Sequence, residues 1–226
     1  MPRKRHVARP STAIPADVTG LLEKISEGKT TLNLDRDDTL FSQGDRADAI
    51  FFIEAGKVRI SVVSAAGKEA IIAIQGPLSF IGEGALVGQS QRVSTATALE
   101  PSTIFRIERR AMTRALHEQP GLSEKFVAAL LTRNIDLEAD LCDQFFNHSE
   151  KRLARVLLKL ARLGDHDVAM DARIPFLSHE ALAEMVGTTR SRVTHFMNKF
   201  RVMGLIDYNG GLVVRTELLT DLVLHD

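Results

Sequence analysis

Residues 177–193 run Leu177-Ser178-His179-Glu180-Ala181-Leu182-Ala183-Glu184-Met185-Val186-Gly187-Thr188-Thr189-Arg190-Ser191-Arg192-Val193. Two helix starts lie in this stretch. The Ser178 hydroxyl can cap a short helix whose Leu182, Met185 and Val186 share one inward face. Gly187 ends that helix in a tight turn. Thr189 then caps a second helix, with Val193, Phe196, Met197 and Phe200 on its apolar side. A capped helix, a short glycine turn and a second capped helix make the helix-turn-helix pattern.

Charge falls where that pattern can use it. The chain as a whole is neutral, with 29 basic and 29 acidic residues, so its global balance announces no nucleic-acid partner. Between Glu184 and Asp207, however, there is no acidic residue, and Arg190, Arg192, Lys199 and Arg201 fall inside the window with His195. Such a cluster suits a phosphate backbone. In a helix-turn-helix the first turn of the second helix enters the major groove. Arg190, Ser191 and Arg192 are therefore expected to face base edges, with His195 one turn further on. An arginine there can donate two hydrogen bonds to guanine O6 and N7. Thr189, the free N–H groups beside it, and Ser178 at the preceding helix start suit phosphates. Lys199 and Arg201 lie too far along the helix to read the same bases and fit backbone contacts or solvent.

Downstream, Leu205-Ile206-Asp207-Tyr208-Asn209-Gly210-Gly211-Leu212-Val213-Val214 reads as two short strands around an Asn-Gly-Gly turn, which adds a wing. Upstream, Ser149 is expected to cap a helix carrying Leu153, Val156, Leu157, Leu160 and Leu163 on one face, closed by Gly164. Residues 165–174 are polar and read as a loop with short extended structure.

Before this unit, residues 123–146 hold no Gly or Pro, and Val127, Leu130, Asn134, Leu137, Leu141 and Gln144/Phe145 recur close to every 3.5 residues. A helix this long with such a seam needs a partner, and a second copy of itself is the simplest. Asn134 would fix the register or would be an exposed break in the seam. Cys142, beside it, fits a small apolar side chain or a thiol switch.

From residue 29 to 108 the texture is strand and turn. Runs at 49–54, 57–63, 69–74, 93–99 and 103–107 are separated by Gly44-Asp45, Ala55-Gly56, Ala66-Gly67 and Gly76-Pro77. That spacing predicts an antiparallel β-roll or barrel. The basic, Pro-containing start reads as a tail, either disordered or a DNA-contacting arm. The expected division is a tail and short helix (1–28), a β-roll (29–119), a dimerisation helix (120–147) and a winged helix-turn-helix (148–226). The fold class is α+β.

Several classes fall away on composition. At 44% hydrophobic and 26% charged residues the chain is ordinary globular protein, not collagen or disorder. No apolar run approaches the ~18 residues of a membrane span, and the basic start leads into no signal-peptide core. A lone cysteine allows neither an internal disulfide nor a CxxC metal cage. A cytoplasmic protein without a membrane partner is expected. Neither a Ser/His/Asp order, a P-loop nor an HExxH signature accompanies His179-Glu180 or Ser94, so enzyme activity is not expected.

A β-roll, a long helix and a winged helix-turn-helix in this order resemble the CRP/FNR family of bacterial transcription regulators. The resemblance runs from about Leu32 to Leu219. It rests on Phe41-Ser42-Gln43-Gly44-Asp45, on Ile50-Phe51-Phe52-Ile53-Glu54-Ala55-Gly56-Lys57-Val58-Arg59, on Phe80-Ile81-Gly82-Glu83-Gly84-Ala85-Leu86 and on residues 183–193. It implies a homodimeric, sequence-specific regulator of double-stranded DNA, with RNA polymerase as a further partner and a small effector in the roll. In cyclic-nucleotide-binding members, the loop corresponding to Gly82, Glu83, Gly84 and Ala85 and the stretch Arg92, Val93, Ser94 cradle the nucleotide. By that resemblance Glu83 takes the ribose hydroxyl and Arg92 the phosphate, and cyclic AMP is the candidate ligand. The chain departs from the pattern at Val93, where the family has a hydroxyl, and at Leu137 and Glu138, near the adenine-reading positions. It departs again at Ser191, where a glutamate commonly reads cytosine; Arg190 matches the family's guanine reader. An iron–sulfur sensor would need about four cysteines, so it is excluded. Haem would have to use His117 or His148. The alternatives are a regulator that needs no nucleotide, and a cyclic-nucleotide module acting on a protein partner; the basic, doubly capped helix speaks against the latter.

Overall fold

The computed structural model describes residues 17–65, 67, 69–146, 148–163, 171–174, 177–208 and 211–224. The basic tail, Gly164, the 165–170 part of the polar loop and the Asn209-Gly210 turn lie outside the described residues.

After helix α1 (Asp17–Glu23) come strands β1 (Lys29–Leu34), β2 (Thr39–Phe41), β3 (Ala49–Ala55), β4 (Val58–Val63), β5 (Glu69–Gln75) and β6 (Phe80–Ile81). A 3-10 helix, Glu83–Val87, leads to β7 (Thr95–Ala98) and β8 (Ser102–Glu108). They form two antiparallel four-stranded sheets, ordered β1-β8-β3-β6 and β2-β7-β4-β5. β3 shows why the sequence folds this way. Its side chains alternate between two cores: Ala49, Phe51 and Ile53 join Phe41, Val58, Ile60 and Ile104 between the sheets. Ile50 and Phe52 join Phe80, Phe105 and Ile107 under the helices. A strand buried on both faces reads as a continuous apolar run, as Ile50–Ile53 does.

Two helices follow without a break in the packing, α2 (Arg109–Glu118) and α3 (Pro120–Phe146). The strand-and-turn texture does not extend to α2, which sequence patterning left inside the roll. Only Ala111, Met112 and Ala115 of α2 are buried, between exposed arginines, so its apolar signal is thin. Leu122, Phe126 and, in part, Leu130 of α3 pack on the roll. Leu130 is therefore drawn away from the expected seam. The exposed apolar face of α3 instead runs through Val127, Leu131, Ile135, Leu137, Leu141 and Phe145. Asn134 is exposed and donates to Glu138, and Cys142 is exposed rather than buried.

The C-terminal unit comprises α4 (Ser149–Arg162), β9 (Asp171–Ile174), α5 (His179–Val186), α6 (Arg190–Val202), β10 (Ile206–Asp207), β11 (Leu212–Arg215) and α7 (Thr216–Leu224). Leu153, Leu157 and Leu160 of α4 meet Leu182, Val186, Val193, Met197 and Phe200 in one core. Ser149 is not the cap of α4 but its first residue, and it is buried; the cap position is His148, whose side chain makes no capping bond. The wing is a three-stranded sheet, β10-β11-β9, since the extended part of the polar loop pairs with β11. α5 also packs on β5, with Ile74 and Leu99 of the roll against the C-terminal core. No described helix is long and apolar enough to cross a membrane.

Candidate nucleic-acid interface and roll cradle

The helix-turn-helix is built by local bonds. Ser178 Oγ accepts from the Ala181 N–H at 3.1 Å, and Thr189 Oγ1 accepts from the Arg192 N–H at 3.4 Å. Between the helices Gly187 has φ 69°, the left-handed conformation that an L side chain adopts only with strain. Arg152 of α4 donates to the Gly187 carbonyl at 3.4 Å, fastening the turn to the helix behind it.

Val193, Met197 and Phe200 hold α6 by its buried side, which leaves Arg190, Ser191, Arg192 and His195 exposed on one surface. Ser191 Oγ lies 3.2 Å from Thr189 Oγ1, so one of the two hydroxyls donates to the other at the helix start. Lys199, the most distant of the expected contacts, sits 2.7 Å from Glu150 of α4. Its ammonium is engaged within the protein, a pairing that no local sequence pattern signals.

A cleft of about 540 Å³ opens between the helix-turn-helix and the wing, lined by Ser178, His179, Glu180, Arg190 and Tyr208 among others. Burial raises the Tyr208 phenol above its ordinary value, with Arg201 opposing, so the hydroxyl stays a proton donor.

The roll cradle is arranged differently from what the family pattern implies. Arg92 is buried, 5% exposed, and points inward. Its Nη2 donates to the Ala49 carbonyl at 2.7 Å and its Nη1 to the Gly82 carbonyl at 3.2 Å. The guanidinium also lies over the rings of Phe41 and Phe51, at 4.6 and 5.1 Å. Burial lowers its pKa, with Asp48 the largest opposing influence, yet an arginine keeps its charge. Gly82 has φ 74°, and a Cβ there would lie 2.5 Å from Arg92 Nη1, so only glycine lets the guanidinium pass.

Glu83 is spoken for as well: its carboxylate pairs with Arg133 of α3 at 2.7 Å. Val93 is 64% exposed, Ser94 and Gly84 are half-buried, and Ala85 is buried at the base of the 3-10 helix. Leu137 and Glu138 are exposed, with Glu138 accepting from Asn134. Both Arg92 Nη atoms and the Glu83 carboxylate are engaged within the protein, while the buried Arg92 Nε has no hydrogen-bond partner. Both candidate haem ligands, His117 and His148, are exposed. Sequence patterning missed Arg133 and Glu150, each of which acts through a partner far along the chain, and Tyr208, which lines the cleft.

Comparison with known proteins places these two sites in context. A family profile described as "Cyclic nucleotide-binding domain" matches residues 31–119, and one described as "Crp-like helix-turn-helix domain" matches residues 151–221. The chain is 33% identical over 175 residues to a global nitrogen regulator of Synechocystis, covering 76% of this chain and 78% of that protein. It is 28% identical over 180 residues to a CRP-like cAMP-activated global transcriptional regulator of Mycobacterium tuberculosis, covering 79% and 80%. The structure of FixK2 from Bradyrhizobium japonicum shares the fold, with a TM-score of 0.73 at 18% identity over 86% of this chain and 96% of that one.

Proposed function

The chain belongs to the CRP/FNR family of transcription regulators, and from that premise we propose a homodimer that reads two DNA half-sites with its paired α6 helices. One observation carries this: a doubly capped helix-turn-helix whose exposed face gathers Arg190, Ser191, Arg192 and His195 with no acidic side chain among them. Arg190 and Arg192 are the base readers, with Ser191 too short to replace a carboxylate on cytosine. Thr189 and Ser178 serve the backbone, and Lys199 reaches a phosphate only by leaving Glu150.

The dimer is supported by α3. Val127, Leu131, Ile135, Leu141 and Phe145 are each more than half exposed on a helix whose other side is packed on the roll. A second α3 is the occupant that matches its length and repeat. Ile135→Asp would place a charge in that seam. Sedimentation is expected to give a dimer for the natural chain and a monomer for the variant; two monomers would overturn the assignment.

The roll acts without a cyclic nucleotide in this reading, supported by the inward bonds of Arg92 to Ala49 and Gly82. Control by a small effector enters through Glu83: any molecule that competes for its carboxylate also acts on Arg133, hence on the dimer helix. Calorimetric titration with cyclic AMP is expected to give no saturable heat. Saturable binding lost in Glu83→Gln would restore the nucleotide-gated alternative.

A further inference from the structure

Two charged side chains on one stripe of the long helix reach different parts of the molecule. Arg133 and Asp140 are seven residues apart, two helical turns, and so share a face of α3. Arg133 pairs with Glu83 of the roll at 2.7 Å. Asp140 pairs with Lys159 of α4. That second pair spans the place where the chain passes from one unit to the other. α3 ends at Phe146 and α4 begins at Ser149. Asp140 lies six residues before that end, about 9 Å along the axis, and Lys159 ten residues after that start, about 15 Å. A chain link by itself leaves the angle between two helices free. A bond between points well out along both of them sets it.

Resting on the dimer and DNA-binding roles proposed above, we infer that Asp140 and Lys159 are positioning residues: their ion pair fixes the C-terminal unit at one angle to the dimer helix and thereby sets the half-site spacing that the protein accepts. The path from α4 to the groove is rigid. Leu153, Leu157 and Leu160 of α4 share one core with Val193, Met197 and Phe200 of α6. Glu150 of α4 also holds Lys199 of α6 at 2.7 Å. Where α4 points, the exposed face with Arg190, Ser191 and Arg192 follows. At the other end, α3 is the element that pairs about the twofold axis, so the angle between α3 and α4 becomes the separation and tilt of the two α6 helices. A second tie between the units is apolar: Ile74 and Leu99 of the roll rest against the C-terminal core. Contact of that kind holds two bodies together without favouring a direction, whereas a charge pair brings two named points together. With 48% and 41% of their side chains exposed, Asp140 and Lys159 add little to folding stability. They can therefore be exchanged without loss of the fold.

The test uses the pair in both senses. Asp140→Lys and Lys159→Glu each place like charges at the contact, and the double variant restores an attractive pair with its signs exchanged. Anisotropy titrations at constant salt compare the inverted repeat selected on the natural protein with the same repeat carrying one base pair more or fewer between its half-sites, a change of about 3.4 Å. An exposed pair is worth up to about fivefold in an equilibrium, and a dimer has two. Each single reversal is therefore expected to weaken binding to the selected repeat by about three- to thirtyfold and to flatten the discrimination against altered spacings. The double variant is expected to recover both to within about twofold. Lys159→Gln, which removes the pair without adding repulsion, is expected to give the same change at smaller size. A merely structural contact would lower affinity for every spacing equally. That result, single reversals that keep full affinity and spacing preference, or a double variant no better than the singles overturns the inference while the DNA-binding role stands. No enriched inverted repeat on the natural protein would defeat that role, and this inference with it.

Discussion

Glu83 Oε1 and Arg133 Nη1 lie 2.7 Å apart, joining the 3-10 helix of the roll to the middle of the long helix α3. Both side chains keep roughly a third of their surface in water, 27% and 30% exposed. Their pair is therefore worth about 0.2–1 kcal/mol to stability, not more. Its importance is as a connection. A double-mutant cycle of Glu83→Gln and Arg133→Gln in urea is expected to return a coupling in that range, shrinking as salt is added. A coupling near zero at low salt would mean that the roll and α3 are held by packing alone.

Arg92 invites the opposite expectation. A ligand-binding arginine in open water can be removed with little effect on folding, but this one bonds the buried Ala49 carbonyl and the half-buried Gly82 carbonyl and covers two rings. Arg92→Ala should cost about 2–4 kcal/mol in urea unfolding, since it takes a charged donor from the buried Ala49 carbonyl and removes the guanidinium packed on Phe41 and Phe51. Arg92→Lys should recover only part, because a point-like ammonium cannot span both acceptors. Unchanged stability in Arg92→Ala would place the side chain outside the core in solution.

At the contact of α5 with the roll, burial raises the pKa of Glu184, Glu69 raises it further, Arg59 opposes and Glu180 adds a smaller push upward. A carboxyl with a raised folded-state pKa binds its proton more tightly when folded. Its effect on stability is therefore neutral at low pH and becomes a loss as pH rises from the unfolded glutamate range through the raised value. Glu184→Gln removes that loss. The melting temperature of the variant should exceed the natural protein's more at about pH 7.5 than at about pH 4.5. A gap that is constant with pH would remove Glu184 from the linkage.

Arg190 is exposed at the first turn of α6. If it reads a guanine, Arg190→Ala should cost about 1–3 kcal/mol on a selected site and leave random DNA nearly unaffected. Equal losses on both would make it a phosphate contact. Salt titration separates the two cases, since a lost phosphate contact reduces the slope of log affinity against log salt by about one.

The helix-turn-helix was legible because each boundary is written locally: Ser178, Gly187 and Thr189 mark their own helix ends through bonds within four residues. The roll was legible for a related reason, a turn residue at the end of each apolar run. What stayed hidden depends on distant partners. The motif Gly82-Glu83-Gly84-Ala85 can be read in the chain, but Arg92 turns inward because Phe41, Ala49 and Phe51 offer rings and a carbonyl there. The phase of the α3 seam was misjudged at Leu130, since the repeat alone does not say which of two adjacent apolar stripes the roll will claim. α7 and α2 were missed because short helices resting on a finished core need few apolar residues to stay in place.

The central claim is that a symmetric pair of α6 helices reads DNA without a bound nucleotide. In vitro selection on the purified protein from random duplexes, with no nucleotide added, tests it most directly. The account predicts an enriched inverted repeat with half-site centres about 34 Å apart, one turn of the duplex, each half carrying a guanine whose preference disappears in Arg190→Ala. Enrichment of an undivided site, or enrichment only when cyclic AMP is supplied, would contradict it.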